Sequence, residues 1–121
     1  PGARFDPVLN SWNTVAPFYY ASRQQHTAVW TGSEMIIWGG LDTYSTAEYP
    51  YPNYGGRYNP SKDTWQVTPY DPNAPIPVRG NHVAVWTGSD MLIWGGYDGT
   101  SYFNTTYRYT PPQTMYLYLK P

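Results

Sequence analysis

Two pairs of basic side chains recur at the same spacing and offer the most direct chemistry in this sequence. Arg23 and His26 lie three residues apart, and Arg79 and His82 repeat that spacing 56 residues later. The forked donors of arginine suit a carboxylate or another anion, so the four residues could line an anion-binding rim. The alternative is that each Arg and His holds loop carbonyls of its own repeat. Their presence in both copies favours this structural role.

Tyrosine, aspartate and asparagine residues are concentrated in the long segments between apolar runs. Flat amphipathic rings give contact area at a small entropic cost, which is typical of sites that recognise proteins or carbohydrates. For any single ring, packing against a neighbouring Pro inside the loop is the alternative. The candidates for ligand contact in these loops are Asp42, Tyr44, Tyr97 and Asp98. Asn104, followed by two Thr, fits the N-glycosylation sequon.

The sequence contains no recognised arrangement for catalysis. It has no nucleophile elbow, no His-Glu-x-x-His zinc motif, no Gly-rich phosphate loop and no EF-hand. Two His at equivalent positions of a repeat could bind a metal, but no other pattern marks a metal site. We therefore predict no catalytic residue, no metal and no cofactor.

Composition argues against several classes of partner. Charged residues make up 12% of the 121 residues, the formal net charge is -1, and no Lys/Arg cluster occurs. Nucleic acid and anionic membrane surfaces are therefore not expected as partners, and no apolar run reaches the roughly 18 residues of a membrane span. The low charge, the absence of Cys and the aromatic loops favour an extracytoplasmic or secreted location.

A fifteen-residue segment that occurs twice must position these side chains. Residues 26–40 and 82–96 are identical at twelve of fifteen positions. Each copy has two short apolar runs, rich in β-branched and aromatic residues, joined by a Gly-containing turn and followed by Gly-Gly. Within the runs, neighbouring positions are both apolar. We therefore predict hairpins whose strands are covered on both faces.

A second pattern completes the repeat. An aromatic residue is followed by another ring seven positions later, in the pairs Phe5 and Trp12, Tyr58 and Trp65, and Tyr109 and Tyr116. A Gly-Gly pair followed by this Tyr/Trp spacing, at a period of 51–56 residues, resembles the kelch repeat family. The resemblance implies an all-β fold, a β-propeller segment of four-stranded antiparallel blades that forms an incomplete ring.

The predicted strands divide the chain into parts of one propeller domain. Residues 1–22 are expected to form the outer half of a blade, 23–70 a full blade, and 71–121 a full C-terminal blade. The strands expected are 3–6 and 11–15; 27–31, 35–39, 56–59 and 64–68; and 83–87, 91–95, 106–110 and 115–119.

The number of blades predicts what the chain must associate with. Two and a half blades cannot close a ring, because propellers need at least about four. The expected partners are the rest of a longer propeller chain, further copies of this chain, or another subunit. We favour a longer chain because Pro1 enters in the middle of a blade. Left open, both outer blades would expose apolar faces, so an isolated folded monomer is not expected.

Loop lengths predict where recognition occurs. In each predicted blade the turns after strands 1 and 3 are short and those after strands 2 and 4 are long, which places the long loops at one end. We therefore predict a non-enzymatic binding or structural module that presents Tyr/Asx-rich loops for protein or carbohydrate recognition. Some kelch-family propellers are enzymes. The alternative is therefore a sugar-processing enzyme, of isomerase or oxidase type, with its site at the channel mouth.

Two further expectations concern packing. The Gly-Gly pairs 39–40 and 95–96 end the second strand of each blade, so at least one glycine of each pair is expected to have a positive φ or a close backbone neighbour. The tryptophans of the apolar strand runs are expected to be buried between blades. These are Trp30, Trp38, Trp86 and Trp94.

Overall fold

The part of the chain that the structure describes is built from antiparallel β-strands. The structure, a computed structural model, describes residues 2–19, 22–42, 51–68 and 76–112. These ranges contain no helix, hence none that could span a membrane, and the predicted all-β class is confirmed. The strands are β1 (Ala3–Asp6), β2 (Ser11–Thr14), β3 (Arg23–Gln24), β4 (Thr27–Trp30), β5 (Met35–Trp38), β6 (Leu41–Asp42), β7 (Gly55–Asn59), β8 (Thr64–Val67), β9 (Val83–Trp86), β10 (Met91–Trp94) and β11 (Thr106–Tyr109).

Strands β4, β5, β7 and β8 form a four-stranded sheet in that spatial order, which we call the central blade. The tight turn between β4 and β5 closes when Thr31 N donates to Glu34 O at 2.9 Å and Glu34 N donates to Thr31 Oγ1 at 3.0 Å. Gly32 in this turn has a φ of +99°, a backbone conformation that residues with a side chain rarely adopt. All four predicted strands of this blade are confirmed to within one residue at each end.

Strands β9, β10 and β11 repeat the first three strands of the central blade, and we call them the last blade. The fourth strand predicted for it, at 115–119, lies outside the described residues. Strands β1 and β2 form the first strand pair, and the segment that follows β2 contacts β8 of the central blade. There Phe18 stacks on Trp65 with ring centroids 4.8 Å apart, and Trp65 Nε1 donates to Ala16 O at 2.8 Å.

The hydrophobic core lies between the central and last blades. Antiparallel pairing sets Val29 opposite Ile36 on one face of the central blade, and Trp38 lies on the same face. This face packs against the last blade face that carries Met91 and Ile93, both fully buried. Ile76, Ala84, Trp86 and Tyr109 pack around this cluster. The inner strands are therefore covered, as predicted, on the faces where the central and last blades meet.

The prediction that all four strand tryptophans are buried is wrong for Trp30 and Trp94. Trp38 is 3% exposed, whereas Trp94, its equivalent in the last blade, is 53% exposed. The last blade covers Trp38, but no element among the described residues covers Trp94. Trp30 is likewise 53% exposed, while its equivalent Trp86 is half-buried against the central blade. Burial of these rings thus depends on whether a neighbouring blade covers them. The residue pattern within one strand does not show whether such a blade is present.

One apolar sheet face remains exposed on the last blade. Val83 and Val85 are 55% and 56% exposed and share this face with Trp94. Val29 and Trp38, the equivalents of Val85 and Trp94 on the central blade, belong to the interblade core. Within the described ranges the blades do not close a ring, so a longer chain or partners must cover this face.

This asymmetry predicts unequal effects of the same substitution at equivalent positions. Trp38→Ala should lower the free energy of unfolding by about 3–5 kcal/mol, because it leaves a cavity between blades. In the 121-residue chain with this face uncovered, Trp94→Ala should lower it by about 1 kcal/mol, because half of that ring contacts water. Urea denaturation of the two variants beside the parent measures both values. Equal losses would contradict the placement of the core.

Candidate recognition face

The described parts of the long loops lie where the two blades meet, and this junction depends on the Gly-Gly pairs. Gly39 and Gly40 have φ of +63° and +94°, and Gly95 and Gly96 have +70° and +97°, which confirms the glycine prediction. Gly40 N donates to Arg79 O of the next blade at 2.8 Å. A Cβ on Gly39 would lie only 2.7 Å from the same oxygen. Any side chain here would push the blades apart.

Both candidate arginines hold carbonyl groups of their own repeat. Arg23 Nη1 donates to Gly39 O at 3.0 Å, and Arg79 Nη1 donates to Gly95 O at 2.7 Å. Arg79 is fully buried, with its guanidinium carbon 4.2 Å from the ring centroid of Phe103. Burial lowers the pKa of both guanidinium groups. The geometry fits the structural alternative for these arginines, and their contact with an anion stays a prediction.

The two candidate histidines occupy different environments. His82 is 5% exposed, with Nε2 2.7 Å from Thr27 Oγ1 and its ring edge-on to Trp38 at 5.3 Å. Burial, with smaller contributions from the positive charges of Arg79 and His26, lowers the pKa of His82 to about 4. The imidazole is therefore neutral at pH 7 and joins the blades. His26 is exposed, and partial desolvation lowers its pKa as well.

The two candidate aspartates each have neighbours within their own blade. Asp42 stands opposite Arg23 in the short ladder between β3 and β6, a pairing too short to predict from periodicity. Asp98 Oδ1 accepts hydrogen bonds from Thr100 N at 2.8 Å and Ser101 N at 2.7 Å. These backbone hydrogen bonds lower the pKa of Asp98. Asp98 therefore stabilises its own turn.

The remaining candidates differ in accessibility. Tyr97 is half-buried, and its hydroxyl donates to Gly99 O. Asn104 of the sequon is exposed. Tyr44 lies outside the described residues. Ligand contact by any of these residues stays a prediction.

Two carboxamide residues that the sequence patterns do not single out lie at the same junction. Gln25 and Asn81 are exposed and have φ of +59° and +54°. Asn81 N donates to Gln25 O at 3.0 Å, which joins the lead-in segments of the two inner strands. A carboxamide directly before each repeated His is visible in the sequence. Its left-handed backbone conformation is not, because Gln rarely adopts positive φ.

The aromatic rings of two long loops gather around Gly80. Gly80 and Tyr97 exchange backbone hydrogen bonds of 2.9 Å in both directions. A Cβ on Gly80 would lie 3.2 Å from both Gln25 Oε1 and Tyr51 Cε1, so these side chains flank the glycine. The Tyr97 ring lies 4.7 Å from that of Tyr102, which is 86% exposed. We call the following five residues the rim patch: Gln25, Tyr51, Asn81, Tyr97 and Tyr102.

The opposite end of the blades carries the short turns, as the loop lengths predict. A recess of about 780 Å³ lies there, bordered by the turns 31–34, 59–62 and 88–89. Its wall includes the ion pair of Arg57 Nε and Glu34 Oε2 at 2.9 Å. Across the described ranges, no group of three or more His, Asp or Glu side chains is arranged to hold a metal ion.

Comparison with known proteins agrees with the strand pattern and the Gly-Gly junctions. No family model matches the chain. Kelch-like protein terF of Aspergillus terreus is 34% identical over 108 residues, which cover 83% of this chain and 22% of that protein. The chain belongs to the kelch-repeat family.

Two other relatives match this kelch-repeat chain over similar ranges. Tip elongation aberrant protein 1 of Schizosaccharomyces pombe is 31% identical over 96 residues, covering 78% of the chain and 8% of that protein. N-acetylneuraminate epimerase of Haemophilus influenzae is 29% identical over 91 residues, covering 71% of the chain and 24% of the enzyme. The chain thus spans less than a quarter of the length of each of these relatives.

The buried neutral His82 predicts that acid weakens the junction. Its pKa is about 4 in the folded state against an ordinary value of 6.5. The unfolded chain therefore binds the proton first, and the free energy of unfolding should fall between pH 6.5 and pH 4. The loss is at most about 3 kcal/mol and is reduced by solvent screening.

Urea denaturation at several pH values tests this effect against a matched pair of variants. His82→Gln should show less loss of stability between pH 6.5 and 4 than the parent protein. His26→Gln, at the equivalent but exposed position, should still show most of the loss of stability that the parent protein shows. Parallel pH profiles for the parent and His82→Gln would refute the role of His82.

Proposed function

We propose that this kelch-repeat chain is a non-enzymatic recognition segment whose long-loop face contacts a protein or a carbohydrate. The observation that carries the proposal is the rim patch, which gathers tyrosines and carboxamides from both blades around Gly80. Tyr102 is almost fully exposed at its edge. The hydrogen bonds between the blades give the patch a rigid base, and rigidly positioned loops are the usual location of binding sites.

The closing of the propeller and the cellular location are further parts of this proposal. The exposed face with Val83, Val85 and Trp94 is to be covered by the rest of a longer propeller chain, since the curated relatives extend far beyond the matched region. An extracytoplasmic location is consistent with the exposed Asn104 of the sequon.

A sugar-processing enzyme is the second candidate, because one relative is an N-acetylneuraminate epimerase. The position of the candidate residues supports it less well. Arg79 binds a backbone carbonyl, and His82 is held by Thr27 between the blades. Incubation of the protein with N-acetylneuraminate, followed by NMR, tests this candidate. Catalytic conversion of the sugar would replace the binding proposal with the enzymatic one.

Peptide and glycan arrays probed with the protein and two variants test the proposed face. The double substitution Tyr51→Ala and Tyr102→Ala should weaken binding of every specific ligand, because it removes two rings of the rim patch. Ser33→Ala with Ser89→Ala, in the short turns at the opposite end, should leave binding unchanged. If ligands bind the tyrosine variant normally but fail to bind the serine variant, the recognition site lies at the short-turn end instead.

A further inference from the structure

We infer that the rim patch binds a neutral oligosaccharide, with Gln25 and Asn81 as its polar contacts and Tyr102 as its aromatic platform. The inference rests on the proposed function and names a ligand class for the same face. Half of the candidate residues that the sequence suggests there are basic, and these indicate an anion. The five residues of the rim patch are uncharged, and this changes the expected ligand.

Charged side chains around the patch are engaged in hydrogen bonds with the protein's own backbone. Arg79 is fully buried beneath it and bonds Gly95 O, and Asp98 accepts hydrogen bonds from its own turn. Burial lowers the pKa of His82 to about 4, so this ring is neutral at pH 7, and burial lowers the pKa of His26 as well. The exposed groups of the patch are therefore carboxamides and phenols. Such a surface offers little attraction to a carboxylate or phosphate.

The exposed groups match the chemistry of a sugar ring. A carboxamide both donates and accepts hydrogen bonds, as each hydroxyl of a saccharide also does. Tyr102 offers a flat, amphipathic ring, supported from behind by Tyr97 at 4.7 Å between ring centroids. The backbone hydrogen bond from Asn81 N to Gln25 O, at 3.0 Å, sets the two carboxamide residues side by side.

Backbone strain at Gln25 and Asn81 is a second, independent observation. Both non-glycine residues hold positive φ, at +59° and +54°, at equivalent positions of the repeat. Glycine would adopt this conformation without strain, yet each repeat carries a carboxamide there. Strained residues that persist tend to mark sites of function. Retention of the side chain is explained if it contacts a ligand.

Isothermal titration with defined oligosaccharides tests the inference. Maltohexaose, cellohexaose, chitohexaose and a β-1,3-glucan hexamer serve as neutral probes, and hexagalacturonate as the anionic probe. At least one neutral probe should bind saturably and more tightly than hexagalacturonate. Tyr102→Ala should weaken that binding roughly tenfold. Tyr19→Ala is the matched control, because Tyr19 is also 86% exposed but contributes nothing to the patch.

A second variant separates ligand contact from folding. Gln25→Gly removes the carboxamide and relieves the left-handed strain, so the melting temperature should stay the same or rise while saccharide binding falls. Gln66→Gly, at an exposed position of β8, should leave binding unchanged.

The outcomes distinguish this inference from the proposal on which it rests. Peptide binding that depends on Tyr102, with no neutral saccharide bound, overturns the inference and keeps the recognition face. Tighter binding of hexagalacturonate also overturns it. Absence of any ligand on both arrays and in the titrations overturns both. A normal saccharide affinity of Gln25→Gly would contradict the role of the Gln25 carboxamide as a polar contact.

Discussion

The close approach of backbone to backbone at the Gly-Gly junction is the constraint on which the described structure depends. Gly40 N bonds to Arg79 O across the blades at 2.8 Å, and a Cβ on Gly39 would lie 2.7 Å from the same oxygen. Because no side chain fits here, the inner strands approach closely enough to bury Trp38. The loops that follow each glycine pair then leave the sheets at one end. Three residues of the rim patch, Tyr51, Tyr97 and Tyr102, belong to those loops, so the geometry of the patch depends on the same contact.

The same face of the inner strands has different surroundings in the two repeats, although the two sequences are nearly identical. Val29 and Trp38 form the interblade core, whereas their equivalents Val85 and Trp94 are more than half exposed. Whether an apolar residue of this repeat is buried therefore depends on the presence of a neighbouring blade as much as on the residue's own strand. The stability of such an array comes from contacts between units, as expected for repeat architectures.

The sequence predicts the strands well because each one combines β-branched and aromatic residues with Gly-containing turns at regular spacing. The positive φ of Gly39 and Gly40 is predictable for the same reason, since few residues other than glycine can turn the chain there. The exposure of Trp94 depends on elements outside its own repeat and cannot be read from a strand pattern. At the site, Arg79 is the natural candidate by chemical type. The structure buries it and exposes Gln25, a residue with no distinctive motif.

The most direct test of this account compares alanine substitutions at two glycines that both have a positive φ. Gly39 has a φ of +63°, and a Cβ there would lie 2.7 Å from Arg79 O of the next blade, whereas Gly32 has a φ of +99° and no atom within 4 Å of the position that a Cβ would occupy. Gly32→Ala should cost about 1–2 kcal/mol of unfolding free energy, from backbone strain alone. Gly39→Ala should cost at least about 2 kcal/mol more, because the added methyl group separates the blades. Equal losses, measured by urea denaturation, would contradict the claim that this junction holds the blades together.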